Sequence, residues 1–397
     1  MIKLKKRYRI NYKNLAIALL TVFAIVLVAG LGIKKITSLF TKEKDPIVEK
    51  PKEEPQHDPK EDEITSFSFI NVGDLLYHST FIKDTSVENF AKNYLYVKKW
   101  FNDTDLVMGN YETTTNPNRE YSGYPNFNTP ANALVAIKDA GFDILNTNNN
   151  HTLDTGIQGV KTTLENAREN GLLTVGTQLE NEPRRLDVEV NKIKVGILSY
   201  SYGYNGIDAW VDEEDKATYL NYIDEAKMER EIKESNTLND FTLINIHWGD
   251  EYHIKPNDFQ VDLAHKMSEW GADVILGSHP HVIQTAEKIN NTYVIYSHGN
   301  FVSDQRLESL DDIETERGLI TEIIFEKNHT QDIEDITSFK NYPTWVRKYN
   351  SNPYYYNVIP TGMFLNGEID LDLGSDSIRR IELADQVIKE RIQIQEP

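Results

Sequence analysis

The sequence predicts an α/β domain in which sheets lie under helices, held to a membrane by a single N-terminal helix. Three observations lead there. After residue 64, short runs that are apolar at almost every position alternate with longer helix-like stretches; strands apolar throughout are strands covered on both faces. Three of the helix-like stretches stop at Gly141, Gly171 and Gly271, where a helix C-cap belongs. Leu15 to Ile33 is a run of 19 residues without a charge, about 28 Å long as a helix and so enough for a hydrocarbon core of about 30 Å.

Residues 1–14 carry Lys3, Lys5, Lys6, Arg7, Arg9 and Lys13 and no acid. That excess places them in the cytoplasm and the bulk of the chain outside. A cleaved signal peptide competes with the reading of 15–33 as a transmembrane helix. Its apolar core is usually ~7–15 residues and ends at a small-x-small site. Here the run is longer and leads into Lys34-Lys35, which favours an uncleaved anchor. Residues 34–63 form a linker, whose part 41–63 has four prolines, many charges and almost nothing apolar; such a segment makes no core and reads as a tether.

Residues 1–44 sum to +9 (ten basic, one acid) and the whole chain to −20, which leaves −29 for residues 45–397. An outer part this acidic argues against nucleic-acid binding. It also repels polyanions unless a local positive site, such as metal ions, offsets the field. The chain has no cysteine, hence no disulfide framework outside the membrane.

Within the domain at 64–330, strands are expected at 67–72, 105–109, 143–147, 193–199, 241–247, 273–277, 293–297 and 319–325. Helices are expected at 86–101, 130–140, 156–170, 223–235 and 258–271. Residues 331–397 complete the domain, with a late strand pair in the aromatic stretch 349–360 and a polar helix over 376–393.

Polar, metal-competent groups follow one strand after another. Gly73-Asp74 and then His78 follow the first, and Asn110-Tyr111-Glu112 the second. Asn148-Asn149-Asn150-His151 and then Asp154 follow the third. Later strands end in His247-Trp248-Gly249, in Ser278-His279-Pro280-His281 and in His298-Gly299-Asn300. The carboxyl ends of strands are where α/β sheets build sites. One histidine after a strand is more often a hydrogen-bonded core or surface residue, and Asp after Gly is commonly a turn. Recurrence shifts the balance, because six of the ten histidines fall at such ends. A mixed set of imidazole, carboxylate and carboxamide donors suits Mn, Fe or Zn, and a pair of such ions can activate water for in-line attack.

The ordered blocks G-D (73–74), N-Y-E (110–112), N-N-H-T-L-D-T-G (149–156), H-W-G-D-E-Y (247–252), G-S-H-P-H (277–281) and G-N-F (299–301) resemble the CapA family of poly-γ-glutamate capsule biosynthesis, a relative of the calcineurin-like metallophosphoesterases. The resemblance spans about 73–304. It implies a metallophosphoesterase-like four-layer αββα sandwich and a site with two divalent ions. Carried over by position, Asp74 and His281 would bind the first ion, Glu112 would bridge, and Asn150, His247 and His279 would bind the second. His151 would not bind metal but would protonate a leaving group or steady the transition state. Apart from the resemblance, Asp154 lies three residues beyond His151; if a helix starts there, the two share a face and Asp154 can orient the imidazole. Two departures stand out. Phosphoesterases have D-x-H where this chain has His78 four residues after Asp74, so His78 is a ligand or a substrate contact. The bridging position holds Glu112 rather than the usual Asp. His298 and His253 read as structural and surface residues, and Tyr121, Tyr124, Phe127 and Asn128 as a packed loop or as a rim for a polymer.

The resemblance implies a protein of the cell membrane that makes, exports or anchors an anionic surface polymer of the poly-γ-glutamate type, with a polymer-synthase membrane complex as partner. Two readings of the site stay open: a metal-dependent hydrolase, acting on a phosphoester or an amide of a surface polymer or on a nucleotide, and a binding accessory of the synthase that turns nothing over.

Overall fold

The computed structural model describes Ile2–Lys3 and residues 62–394. The expected membrane helix at 15–33 and nearly all of the linker at 34–63 lie outside these residues. Among those described, no helix is long and apolar enough to cross a membrane.

The strands are β1 (Ile2–Lys3), β2 (Ile64–Leu75), β3 (Leu106–Tyr111), β4 (Ile144–Asn146), β5 (Leu173–Val175), β6 (Leu186–Val190), β7 (Ile193–Ser201), β8 (Phe241–His247), β9 (Val274–Ser278), β10 (Ala286–Ile289), β11 (Thr292–Ile295), β12 (Asn300–Val302), β13 (Arg317–Asn328), β14 (Ile333–Tyr349) and β15 (Tyr355–Pro360). They form two sheets. One runs β1-β6-β7-β8-β9-β11-β10, the other β15-β14-β13-β2-β3-β4-β5 with β12 beside β2. In the first, β7, β8, β9 and β11 are parallel; in the second, β2, β3, β4 and β5 are.

Alternation along each strand decides which layer a side chain enters. Phe67 and Phe69 of β2 and Leu106 and Met108 of β3 pack against Val195, Ile197, Leu243, Val274 and Leu276 of the other sheet, so the sheets meet face to face. The intervening positions turn the other way. Ile70, Val72 and Val107 lie under the helices Val87–Ala91, Lys98–Asp103 and Asn132–Ala140 through Phe90, Phe101, Leu134 and Ile137. Leu198, Ile244, Ile246 and Ile275 lie under the helices Glu225–Leu238 and Asp258–Trp270 through Met228, Ile232, Leu263 and Met267. Four layers result: helices, sheet, sheet, helices. Each such side chain contributes about 1.5–3 kcal/mol on burial, so the strictness of the alternation fixes the layers.

Helix ends follow the glycines. Gly141 and Gly271 close their helices at φ of 109° and 102°, left-handed values that cost a side chain energy and glycine nothing. The expected helix at 86–101 is a correction. It breaks into Val87–Ala91, a 3-10 turn at Lys92–Tyr94, and Lys98–Asp103. Tyr94 leaves the helical path to be buried with its hydroxyl against that of Tyr77, while Asn357 Nδ2 donates to the Lys92 carbonyl. Tertiary burial overrides the helical pattern there. The strand expected at 293–297 ends at Ile295, so His298 lies beyond it. Of the strand pair expected within 349–360 only β15 lies there; its partner β14 comes before it and ends at Tyr349, and the C-terminal helix is Ser375–Arg391.

Register sets the site. Asn110 lies beside Asp74 across β2 and β3, and Asn300 of β12 lies on the other side of Asp74. The approach of β12 requires Gly73, where a Cβ would stand 1.9 Å from the Gly299 carbonyl oxygen; that carbonyl accepts the Asp74 N–H at 3.0 Å.

Candidate metal centre

Asp74 near the end of β2 and Glu112 just past β3 are both fully buried. A buried carboxylate needs donors or a cation. Asn110 Nδ2 donates to Asp74 Oδ1 at 2.8 Å and to Glu112 Oε2 at 3.2 Å. Its Oδ1 accepts from the side-chain amides of Asn146 at 2.8 Å and Asn149 at 3.2 Å. This carboxamide ladder holds the two acids side by side. Glu112 Oε1 is left without a hydrogen-bond partner. Burial, and then the Asp74 charge, push the Glu112 carboxyl well above its ordinary range.

Three imidazoles close over that oxygen. His281 places Nδ1 3.2 Å from Asp74 Oδ2 and Nε2 3.8 Å from Glu112 Oε1. His247, the last residue of β8, places Nε2 2.9 Å from Asn150 Oδ1 and 3.8 Å from Glu112 Oε1. The His279 ring centre is 4.7 Å from that of His247, and its buried Nδ1 has no partner. Two groups thus share Glu112: Asp74, Glu112 and His281, and Glu112, His247 and His279, each with one ligand atom per residue within 4.8 Å of the others. Burial, and then the neighbouring imidazoles, hold His247 well below its usual range and His279 at about 3. Both rings are therefore neutral and keep a lone pair. His279 and His281 have φ of 102° and 57°; backbone of this kind costs of order 1–3 kcal/mol each and clusters at functional sites.

His151 stands apart from both groups. Its Nδ1 is 2.7 Å from Asp154 Oδ2, and the Phe127 N–H donates to the same oxygen at 2.6 Å. Burial raises Asp154, and the His151 contact and the Phe127 amide act against that rise. The carboxylate draws the ring proton to Nδ1. The His151 and His78 rings both stand T-shaped to Phe127, with ring centres 4.7 and 5.3 Å away. An open cleft of about 670 Å³ lies over these residues, lined also by Asn150, His281, Tyr124, Glu251 and Tyr252.

Asp74, Glu112, Asn150, His247, His279 and His281 are thus brought together, with His151 lining the cleft beside them and Asp154 bonded to its Nδ1. His78 does not join either three-residue group; its Nδ1 accepts the Asp304 N–H at 3.2 Å, and burial lowers it to about 4. His298 is buried against Asn71, Thr321 and the Gly277 carbonyl, and His253 is exposed. In the aromatic loop Phe127 and Asn128 are packed, whereas Tyr121 and Tyr124 are exposed. The sequence reading missed the roles of Asn110 and Asn146. An asparagine inside an otherwise apolar strand is the signal that would have found them, because it has to be satisfied by something polar at the same depth. Tyr202, 4.6 Å from His279 between ring centres, carried no such signal.

Residues 68–305 match the family model described as Bacterial capsule synthesis protein PGA_cap. The chain belongs to that family. It is 32% identical over 256 residues to the PGA biosynthesis protein CapA of Bacillus subtilis (strain 168), covering 62% of this chain and 64% of that one. It is 29% identical over 231 residues to the capsule biosynthesis protein CapA of Bacillus anthracis, covering 55% and 56%. The chain thus spans less than two thirds of the length of these curated relatives. Among solved structures, a Mycoplasma pneumoniae phosphatase overlaps with a TM-score of 0.44 at 14% identity, covering 71% of this chain and 94% of that one. All eight residues assigned to the site lie inside the span shared with the PGA_cap family.

Proposed function

We propose that this chain is a membrane-anchored, extracytoplasmic protein that acts in the synthesis, export or anchoring of a capsular polymer of the poly-γ-glutamate type, through a two-metal hydrolase-like site. One observation carries the metal reading. Glu112 Oε1 is buried, has no hydrogen-bond partner and stands 3.8 Å from an imidazole nitrogen on each side. An orphaned carboxylate oxygen between two imidazole nitrogens suits cations on both sides of it. Asp74, Glu112 and His281 would hold one ion, and Glu112, Asn150, His247 and His279 the other. When bound, a pair of Mn, Fe or Zn ions supplies Lewis-acid activation of water and neutralises developing negative charge.

The chain's own groups do the rest. Asp154 orients the His151 ring through Nδ1; as the imidazolium, which the Asp154 carboxylate steadies, His151 would give its Nε2 proton to the leaving group and return to the neutral Nδ1–H ring. The carboxamide ladder fixes the two acids. Among the described residues, the cleft lining contains Glu251 and Asp304 and no lysine or arginine. The ions are therefore what an anionic chain would be drawn to in an otherwise negative mouth. The partners that follow are the membrane, the polymer and a membrane-bound synthase.

Two measurements test this reading. Elemental analysis of the purified chain is expected to give two divalent ions per molecule, and Mn-loaded protein is expected to shorten poly-γ-glutamate or to cleave a phosphodiester. A chain that binds no divalent ion under any loading condition overturns it. For the topology, the absence of cysteine allows a single reporter at Ser66→Cys, an exposed position. An impermeant maleimide should label it on intact cells, and labelling only after lysis would reject the orientation. A second reporter at Lys5→Cys, outside the described residues, should label only after lysis. Labelling on intact cells there would instead fit the edge pairing of β1 with β6.

A further inference from the structure

A histidine binds a cation through whichever ring nitrogen lacks a proton, and the partner of the other nitrogen decides which that is. For His281 the deciding contacts lie at Nδ1. It is 3.2 Å from Asp74 Oδ2 and 3.2 Å from Asn300 Oδ1. A side-chain amide can face either way, but Asn300 is held in one sense. Its Nδ2 donates to the Thr315 carbonyl at 3.0 Å and to Gln305 Oε1 at 2.8 Å. The Thr315 carbonyl can only accept, so the amine must face it and the amide oxygen must face His281. That oxygen can only accept in turn, so the proton of His281 is on Nδ1. In the neutral ring Nε2, 3.8 Å from Glu112 Oε1, is then the bare nitrogen.

We propose that Asn300 is a positioning residue that fixes the ligating tautomer of His281, and that the segment after residue 305 sets Asn300. This rests on the metal reading of the site. Asp74 Oδ2 asks for the same proton, but Asp74 alone is a poor guarantor of the tautomer, because it is itself assigned to an ion. Asn300 is neutral and fully buried, and it makes no other demand on His281. The segment that orients it is clamped. Glu316, fully buried, accepts from Arg306 at 3.0 Å, Arg380 at 2.6 Å, Trp345 Nε1 at 2.8 Å and the Leu307 N–H at 3.1 Å. Arg380 comes from the C-terminal helix and Trp345 from β14. The family match ends at residue 305. Thr315 and the groups that clamp Glu316 therefore lie beyond it, yet bear on a ligand inside it.

The test uses the full chain, with Asn300→Leu and Gln305→Leu beside the parental protein. Mn affinity is measured by calorimetric titration, and the His281 tautomer by 15N NMR of the metal-free chain. Asn300→Leu is expected to weaken Mn binding by about 10–100-fold, the usual worth of a partner behind a ligand, and to show His281 with a proton on Nε2 in part of the population. If Asn300→Leu does not fold, Gln305→Leu decides: it leaves Asn300 one acceptor, and both changes should appear in smaller size. An unchanged affinity overturns the proposal. So does a loss of affinity with the tautomer unmoved, which would mean that Asn300 acts through packing. A parental chain that binds no Mn sinks the metal reading instead, and the tautomer in the metal-free variants then decides the role of Asn300 alone.

Discussion

Glu112→Gln is expected to abolish the stabilisation of this protein by divalent ions and, in chelator, to make it more stable than the parental chain. The two effects have opposite signs because one oxygen is behind both. Glu112 belongs to both three-residue groups and its Oε1 stands 3.8 Å from both His247 and His281, so a neutral amide there weakens both ion sites together. With Mn at 100 times its Kd, the parental chain should gain about 2.7 kcal/mol and the variant almost nothing. Without ions, the parental chain buries a carboxylate oxygen with no partner beside the charge of Asp74. Removing that charge should stabilise the metal-free variant, because a buried carboxylate beside Asp74 costs more than a neutral amide in the same place. The pH dependence has a definite sign. The Glu112 carboxyl in the folded chain is raised above its unfolded value, so the native state holds the proton over a pH range in which the unfolded state has lost it. Stability of the metal-free parental chain therefore falls as pH rises from about 4.5 towards the raised value, and this part of the fall is absent in the variant. Thermal melting with Mn and with EDTA, at several pH values, reads all three. A variant that melts like the parental chain in both conditions would remove Glu112 from the metal site.

His151→Ala and His279→Ala are expected to fail in different ways. His279 offers a ligand atom within the Glu112–His247 group, so its loss should lower bound metal and the stabilisation that goes with it. His151 lies outside both groups and is held by Asp154 at 2.7 Å. Its replacement should leave metal content nearly intact and, in a hydrolase, lower the rate by roughly 10²–10⁴-fold, the usual worth of a positioned general acid. In a binding accessory, His151→Ala should leave polymer export almost normal while His279→Ala does not. Metal content, turnover and capsule yield in strains carrying each variant separate these outcomes. Normal metal and normal polymer in both would mean that the site does no work.

Much of this was legible in the chain. Blocks of apolar residues marked the central strands to within a few positions, because a strand buried on both faces cannot carry a polar residue cheaply. The polar residues that did occur at strand ends were therefore conspicuous, but it was the resemblance to the CapA family that picked Asp74, Glu112, Asn150, His247, His279 and His281 out of them as ligands. His151 and Asp154 were legible as a pair from their spacing of three, which on a helix would put them on one face; the helix begins only at Gly156, and it is a turn, with the Asp154 N–H donating to the His151 carbonyl at 3.2 Å, that brings them together. Less was legible where the partner is far away in sequence. The pattern at 86–101 reads as one helix, and only the burial of Tyr94 against Tyr77 shows why it breaks. His298 follows a strand just as the ligands do, yet it turns to Asn71 and Thr321 in the core.

The sequence by itself determined the alternation of elements, the carboxyl-edge position of the polar groups and their chemical types, since these follow from local periodicity and composition. Only the tertiary structure decided which groups meet. Asp74 and His281 are 207 residues apart in the chain and 3.2 Å apart in space. Their meeting depends on two sheets packed face to face with their parallel strands ending on a common edge. It also decided that Glu112 keeps one oxygen unpartnered and that Asn300 turns its amide oxygen to His281. Both are results of hydrogen-bond accounting among buried groups, and no single stretch of sequence contains all the partners that enter that account.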